Sequence, residues 1–494
     1  MKKAGILMPI TSLPSKYGIG SFDKSAYEFV DFLSLSGQSY WQVLPLGQTG
    51  FGDSPYQSPS SFAGNPYMIS LETLIEKNLL SKEECDFCDF GDDENYIDYE
   101  KQYNNRYPLL RKAFSRFIAD ENFEKFKKDN AYWLPDYALF MAVKGRYGGK
   151  EWLSWDEDIK LREPASLLKY QNELLDEMNF WCFLQFEFSS QWKALKKYAN
   201  EKGISIIGDL PIYASMDSSD VWANPHLFQL TEDCTPIAVA GCPPDAFSPL
   251  GQLWGNPLYD WETHKKENYF WWIKRLDHSF KLFDCLRIDH FRGFESYYSI
   301  PYGNPDATIG KWEKGPGMDL FLEMEKTLGE KEVIAEDLGF ITPEVKKLLK
   351  DSGFAGIKVI EFAFDSRDTG FKNDYLPHNY PENCVAFTGT HDNETLLSWL
   401  KNLSDEDFKA VCEYLCVDNA PREILVDPLI GLIMRSQAKL CVVPLSDYLK
   451  LGDEARINTP ATTGNNWQWR VKKELLTFPL AKKIYDTSAR FGRI

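Results

Sequence analysis

The sequence is poor in the residues and patterns that carry most metal, cofactor and membrane chemistry. Histidine occurs six times in 494 residues, and no two stand at the helical spacing of a zinc-hydrolase motif. Of ten cysteines, only Cys85 and Cys88 form a Cys-x-x-Cys pair, and no second pair completes a zinc set. They read as free thiols of a reducing compartment. No G-x-x-x-x-G-K-[ST] loop, no G-x-G-x-x-G after the first strand and no G-x-S-x-G elbow is present. These absences argue against phosphoryl transfer, dinucleotide chemistry and serine acyl transfer. Positive charge is scarce: 55 Lys and Arg face 73 Asp and Glu, a net −18. That field repels nucleic acid and anionic membrane surfaces. No apolar run reaches the ~18 residues of a membrane span. The apolar opening at residues 1–9 breaks at Pro9 with no small-residue cleavage site behind it. The expectation is a cytoplasmic protein with no cofactor, no metal, no nucleic-acid partner and no membrane.

Apolar and aromatic residues are plentiful. Hydrophobic content is 44%, with 15 Trp, 25 Tyr and 33 Phe. Such a chain can build a large core, and its surplus of tryptophan suits a site that stacks flat apolar faces such as sugar rings.

Short apolar runs alternate with helical spacings along the chain. The runs at residues 5–10, 40–46, 204–213, 285–289, 332–336, 357–362, 384–388 and 441–445 read as eight strands. A helix over 25–35 joins the first two, which requires a parallel sheet. Thr342 reads as an N-cap with Pro343 behind it and Gly353 past the end of that helix. Eight strands alternating with helices predict an α/β fold, a closed (β/α)8 barrel, with one catalytic domain over 1–494. Residues 51–200 read as a mainly helical insertion after strand 2. Residues 213–280 read as a lid and groove insertion after strand 3. No separate C-terminal β domain is expected. The open doubly wound sheet is the alternative, disfavoured by the missing glycine fingerprint.

Three apolar runs deliver acids at their C-terminal ends. These are CLRIDHFRG (285–293), ending in Asp289; VIAEDLG (333–339), ending in Glu336; and VAFTGTHDN (385–393), ending in Asp392. Strand side chains alternate, so Arg287 and Asp289 point the same way, and the guanidinium is expected to hold Asp289 ionised. Barrel active sites lie at the C-terminal ends of the strands, and paired carboxyl groups there are the tools of glycoside cleavage.

The stretches RIDHFRG (287–293), IAEDLG (334–339) and GTHDN (389–393) resemble three of the four signature regions of the α-amylase superfamily. Together with DSPYQS (53–58), GNPLY (255–259), NTP (458–460) and Asn466–Trp467 they resemble the 4-α-glucanotransferases, the amylomaltases or disproportionating enzymes, over essentially the whole chain. Leu210 and Pro211 follow Asp209 where ordinary amylases carry Asn-His, a departure shared with the glucanotransferase branch that implies loss of the amylase calcium site. The resemblance implies transfer of a segment of a 1,4-α-glucan donor to glucose or a maltooligosaccharide acceptor, by a retaining double displacement in a monomer or homodimer. It implies Asp289 as nucleophile, Glu336 as general acid then base, and Asp392 as the group that binds sugar hydroxyls and helps distort the ring. Arg287, His391 and Asp209 would serve the sugar at the cleavage point. Asp245, Trp254 and Asn256 would belong to a lid over the acceptor, and Ser54, Tyr56 and Asn458 would line the groove. A retaining mechanism needs the two working carboxyl groups about 5–5.5 Å apart. Transfer must also beat water at ~55 M, so Trp254 is expected to act as an apolar roof that excludes it.

Overall fold

The computed structural model describes residues 2–50, 52–244, 248–339, 341–364, 373–418, 420–462 and 464–494. Twelve strands occur among them: β1 Lys3–Leu7, β2 Tyr40–Gln42, β3 Ser205–Leu210, β4 Ala238–Cys242, β5 Gln252–Pro257, β6 Cys285–Ile288, β7 Ser296–Pro301, β8 Lys311–Lys314, β9 Val333–Ala335, β10 Ala355–Val359, β11 Cys384–Phe387 and β12 Leu440–Pro444. Eight of them close a parallel barrel in the order β1-β2-β3-β6-β9-β10-β11-β12, and β12 returns to β1. This is the expected (β/α)8 barrel, with long excursions after its second and third strands. Past β12 the described residues contain helices and loops but no strand.

The strands are buried almost throughout because helices cover them outside and side chains fill the barrel inside. They are shorter than the apolar runs that announced them. Residues 44–46 and 211–213 continue two of those runs beyond the ladder. Pro45 and Pro211 have no N–H to give it, so the chain peels away toward the mouth. The run at 357–362 likewise ends in a 3-10 turn, Ile360–Ala363.

Local signals fixed the helices near the expected bounds. Thr342 caps Pro343–Ser352 by accepting from Val345 N, and Gly353 ends it at φ 70°. The apolar stretch around residues 174–192 lies in the helix Leu175–Glu201, whose Phe180, Phe183, Leu184, Phe188 and Trp192 are buried.

The bottom of the barrel is tied shut by the C-terminus. Arg493 is fully buried and donates to the carbonyls of Met434 (2.5 Å), Ala438 (2.9 Å), Ser436 (3.1 Å) and Lys3 (3.1 Å). It joins β1 to the segment entering β12, where the barrel closes.

One layer was not foreseen. β4, β5, β7 and β8 form an antiparallel sheet in the order β5-β4-β7-β8. Its strands come from the excursions after β3 and after β6, so barrel strand β6 interrupts them in sequence. Read locally, the segment around Gly241, Gly251 and Gly255 looked like irregular cover; β4 pairs with β5 10 to 18 residues on and with β7 57 to 63 residues on.

No helix among the described residues is long and apolar enough to cross a membrane.

Candidate active site

Barrel register builds the floor of the site. Asp209 on β3 and Arg287 on β6 are paired positions of neighbouring parallel strands, so their side chains leave the same face side by side. Arg287 Nη1 lies 2.7 and 2.8 Å from the two oxygens of Asp209 and 3.1 Å from Asp289 Oδ1. The Asp209 side chain is fully buried, and its Oδ2 also accepts from the Tyr56 hydroxyl at 2.6 Å. Asp289 keeps 27% of its side chain exposed at the barrel mouth.

Glu336 stands one residue past β9. Its Oε2 accepts from His290 N at 2.8 Å and its Oε1 from Leu338 N at 2.9 Å. His290 adopts the left-handed region, φ 48° and ψ 49°, which is uncommon outside glycine. That turn aims the N–H of the residue after Asp289 at Glu336, so the two carboxyl groups share one short piece of backbone. The Glu336 backbone extends the tie, donating to Ile288 O and accepting from Phe291 N.

The electrostatics separate the two acids. Burial pushes the Asp289 carboxyl up to about 6, against the pull of Arg287. Burial also pushes Glu336 up, to about 7; Arg287 pulls it down, and the Asp289 charge adds to the rise. Arg287 pulls Asp289 toward the ionised form, as expected, but burial outweighs that pull and Asp209 adds to the rise. The pair titrates as a dyad in which Glu336 keeps its proton to higher pH.

Asp392 occupies the opposite wall. Asn458 Nδ2 donates to its Oδ1 at 2.7 Å, and His391 Nε2 lies 3.3 Å from its Oδ2. Burial raises Asp392, but His391, Asn458 and Arg287 outweigh it and hold the carboxyl well below its usual range. Burial in turn lowers His391, and Asp392 brings it above its ordinary value. The imidazole stacks on Tyr56 with centroids 5.2 Å apart at 17°, and Trp467 leans on both rings. Tyr56 thus links the Asp209–Arg287 pair to the His391–Asp392 pair.

The remaining expected residues lie around this centre. Trp254 sits on β5 with its ring edge-to-face on His290, 4.8 Å between centroids. Asn256 is buried, donates to Ala214 O at 2.9 Å and accepts from Gln57 Nε2 at 3.3 Å. Ser54 contacts the group through Tyr56, whose N–H donates to its hydroxyl at 3.3 Å. Asp245 lies outside the described residues. Beyond Asn458, a polar depression of about 520 Å³ is lined by Tyr96, Glu394, Arg456, Thr459 and Asn466.

Sequence reasoning did not single out Trp467 or Arg456 as site residues. Arg456 supports the Asp392 wall, donating to the Asp392 and Asn458 carbonyls at 3.3 and 3.0 Å. Both come from the C-terminal segment, where neither periodicity nor a strand end marks them; the motif at 466–467 was the only signal.

Among the described residues no group of three or more His, Cys, Asp or Glu side chains is arranged to hold a metal ion. The centre instead offers two coupled carboxyl groups raised by burial, Glu336 above Asp289, and a third held charged. That set can attack a carbon, protonate a leaving oxygen and stabilise developing positive charge.

Residues 8–477 match the family model described as 4-alpha-glucanotransferase. A 4-alpha-glucanotransferase of Clostridium butyricum is 51% identical over 490 residues, covering 98% of this chain and 100% of that protein. One of Thermus thermophilus is 45% identical over 478 residues, 94% of each. Among solved structures, the amylomaltase from Streptococcus agalactiae in complex with acarbose superposes with a TM-score of 0.96 at 40% identity, covering 100% of both chains.

Proposed function

The chain belongs to the 4-alpha-glucanotransferase family, and from that premise we propose that Asp289, Glu336 and Asp392 carry out the transfer on a 1,4-α-glucan. Asp289 attacks the anomeric carbon of the donor while Glu336 protonates the departing glycosidic oxygen. The bond to the leaving chain breaks as the Asp289–sugar ester forms, with inversion at carbon. Glu336, now a carboxylate, takes the proton from the 4-hydroxyl of glucose or another glucan, and that oxygen displaces Asp289 with a second inversion. The new linkage is α, as the old one was.

The observation that carries this reading is the His290 N–H at 2.8 Å from Glu336, one residue beyond Asp289. It supports two carboxyl groups addressing one bond. The higher proton affinity of Glu336 supports its role as acid. Asp392, held charged by His391 and Asn458, faces the positive charge of an oxocarbenium-like transition state. Asp209, fully buried, acts by fixing Arg287 and Tyr56. Trp254 over His290 supports a cover on the acceptor side, and the polar depression beyond Asn458 supports an extended glucan groove. The reading includes a cytoplasmic enzyme, monomeric or homodimeric; the ten unbridged cysteines support a reducing compartment.

Incubation with maltotriose tests the proposal. A transferase forms glucose together with a ladder of longer chains, and the Asp289→Asn variant forms neither. Only shorter sugars from the unmodified protein would make it a hydrolase, and no turnover would end the proposal.

A further inference from the structure

The loop that presents His391 and Asp392 rests on two buried acids that the reaction itself does not use. Asp447, on the helix Leu445–Tyr448 after β12, pins both ends of the loop. Its Oδ2 accepts from Thr388 Oγ1 at 2.6 Å and its Oδ1 from Leu396 N at 2.8 Å. Inside the loop, Asn393 Oδ1 accepts from Thr390 N at 2.9 Å and Thr390 Oγ1 at 2.8 Å, and Thr390 Oγ1 receives Asp392 N at 3.3 Å. Asn393 is thereby the inner brace of the Asp392 backbone.

The second acid stands beside that brace. Glu361, in the turn after β10, is 8% exposed and meets the loop beside Asn393: a Cβ on Gly389 would lie within 3.1 Å of both side chains. Its Oε1 is buried and has no partner among the described residues. It fits against Gly389 so closely that a Cβ there would lie 2.8 Å from Oε1. A carboxyl group is thus pressed against the start of this loop, beside its brace. Leaving a buried polar oxygen unpaired is costly and persists where it has a use.

We propose that Glu361 is a positioning residue for glucan transfer, fixing through Asn393 the loop that aims Asp392 at the sugar ring. The inference rests on the function proposed above. Burial favours the neutral form of Glu361. The groups facing it are Asp447, Glu394, Asn393 and Arg456; burial first, then the two carboxylates, push its pKa well up, and Arg456 does not compensate. A neutral group braces the loop without setting a negative charge beside Asp392 that would compete for the same cationic partners.

The test compares Glu361→Ala and Glu361→Gln in the full chain, with kcat and KM for maltotriose disproportionation and a thermal melt for each. A misplaced Asp392 acts on the transition state, so Glu361→Ala should lower kcat about 10- to 100-fold while KM stays within about twofold. Glutamine is neutral and of the same shape, so Glu361→Gln should recover kcat to within about threefold of the parent. Should Glu361→Ala not fold, Gly389→Ala pushes on Oε1 from the loop side and should lower kcat in the same way. An unchanged kcat in the alanine variant, or a glutamine variant as impaired as alanine, overturns the proposal. An unmodified protein that builds no ladder from maltotriose defeats the function instead; a normal ladder with an indifferent Glu361→Ala defeats only this inference.

Discussion

Replacing Arg287 by lysine probes the electrostatic centre of the site. The guanidinium touches both oxygens of Asp209 at 2.7 and 2.8 Å and Asp289 at 3.1 Å. A lysine ammonium is a single point and cannot keep this fork. Opposite unit charges about 4 Å apart attract by about 4 kcal/mol at an effective dielectric of about 20. Asp209 shares that charge, so Asp289 loses only part of it, about 1–3 kcal/mol, or about 1–2 pKa units. The sign follows from the role: Asp289 must be ionised to attack, and its carboxyl already sits up at about 6 despite the pull of Arg287. Weakening that pull raises it further, so the acid limb of kcat/KM moves to higher pH by about 1–2 units. Glu336 is also pulled down by Arg287, so the alkaline limb moves the same way and the bell shifts rather than narrows. At about pH 6 the variant should lose about 5- to 50-fold, a loss that disappears by about pH 8. The assay is glucose release from maltotriose across the pH range, with a thermal melt beside it, because breaking a buried ion pair costs about 3–5 kcal/mol. A folded variant whose acid limb moves by less than about 0.3 unit would refute the coupling of Arg287 to Asp289.

Three further outcomes are expected. Glu336→Gln should lower turnover of maltotriose about 10²- to 10⁴-fold and lower that of an α-glucosyl fluoride far less, since fluoride leaves without a proton; equal losses would remove Glu336 as the acid. Trp254→Ala should raise the ratio of hydrolysis to transfer, read as new reducing ends (which transfer conserves) against ladder from maltotriose, because water gains access above His290; an unchanged ratio would dismiss the cover. Arg493→Ala should cost about 3 kcal/mol or more in urea unfolding by removing a buried guanidinium that bonds four backbone carbonyls while leaving kcat unchanged, and an unmoved unfolding midpoint would show that the barrel closes without it.

The sequence by itself determined the barrel and the acids at its mouth. Eight apolar runs separated by helical spacings admit few closed solutions, since parallel strands need crossovers and each strand must be covered on both faces. Asp289, Glu336 and Asp392 were legible because the C-terminal end of a barrel strand is a fixed place, set by local order along the chain. Tertiary structure alone decided what those acids are next to. The Arg287–Asp209 pair follows from the register of β3 against β6, which joins positions 78 residues apart. The antiparallel sheet that carries Trp254 is assembled from two excursions, joined where β4 pairs with β7 57 to 63 residues on. Trp467 reaches Tyr56 and His391 from the far end of the chain, and Glu361 meets Gly389 from the turn after β10. Strand periodicity is a property of consecutive residues, whereas the proton affinity of a carboxyl depends on burial and on charges within a few ångströms, whichever part of the chain supplies them.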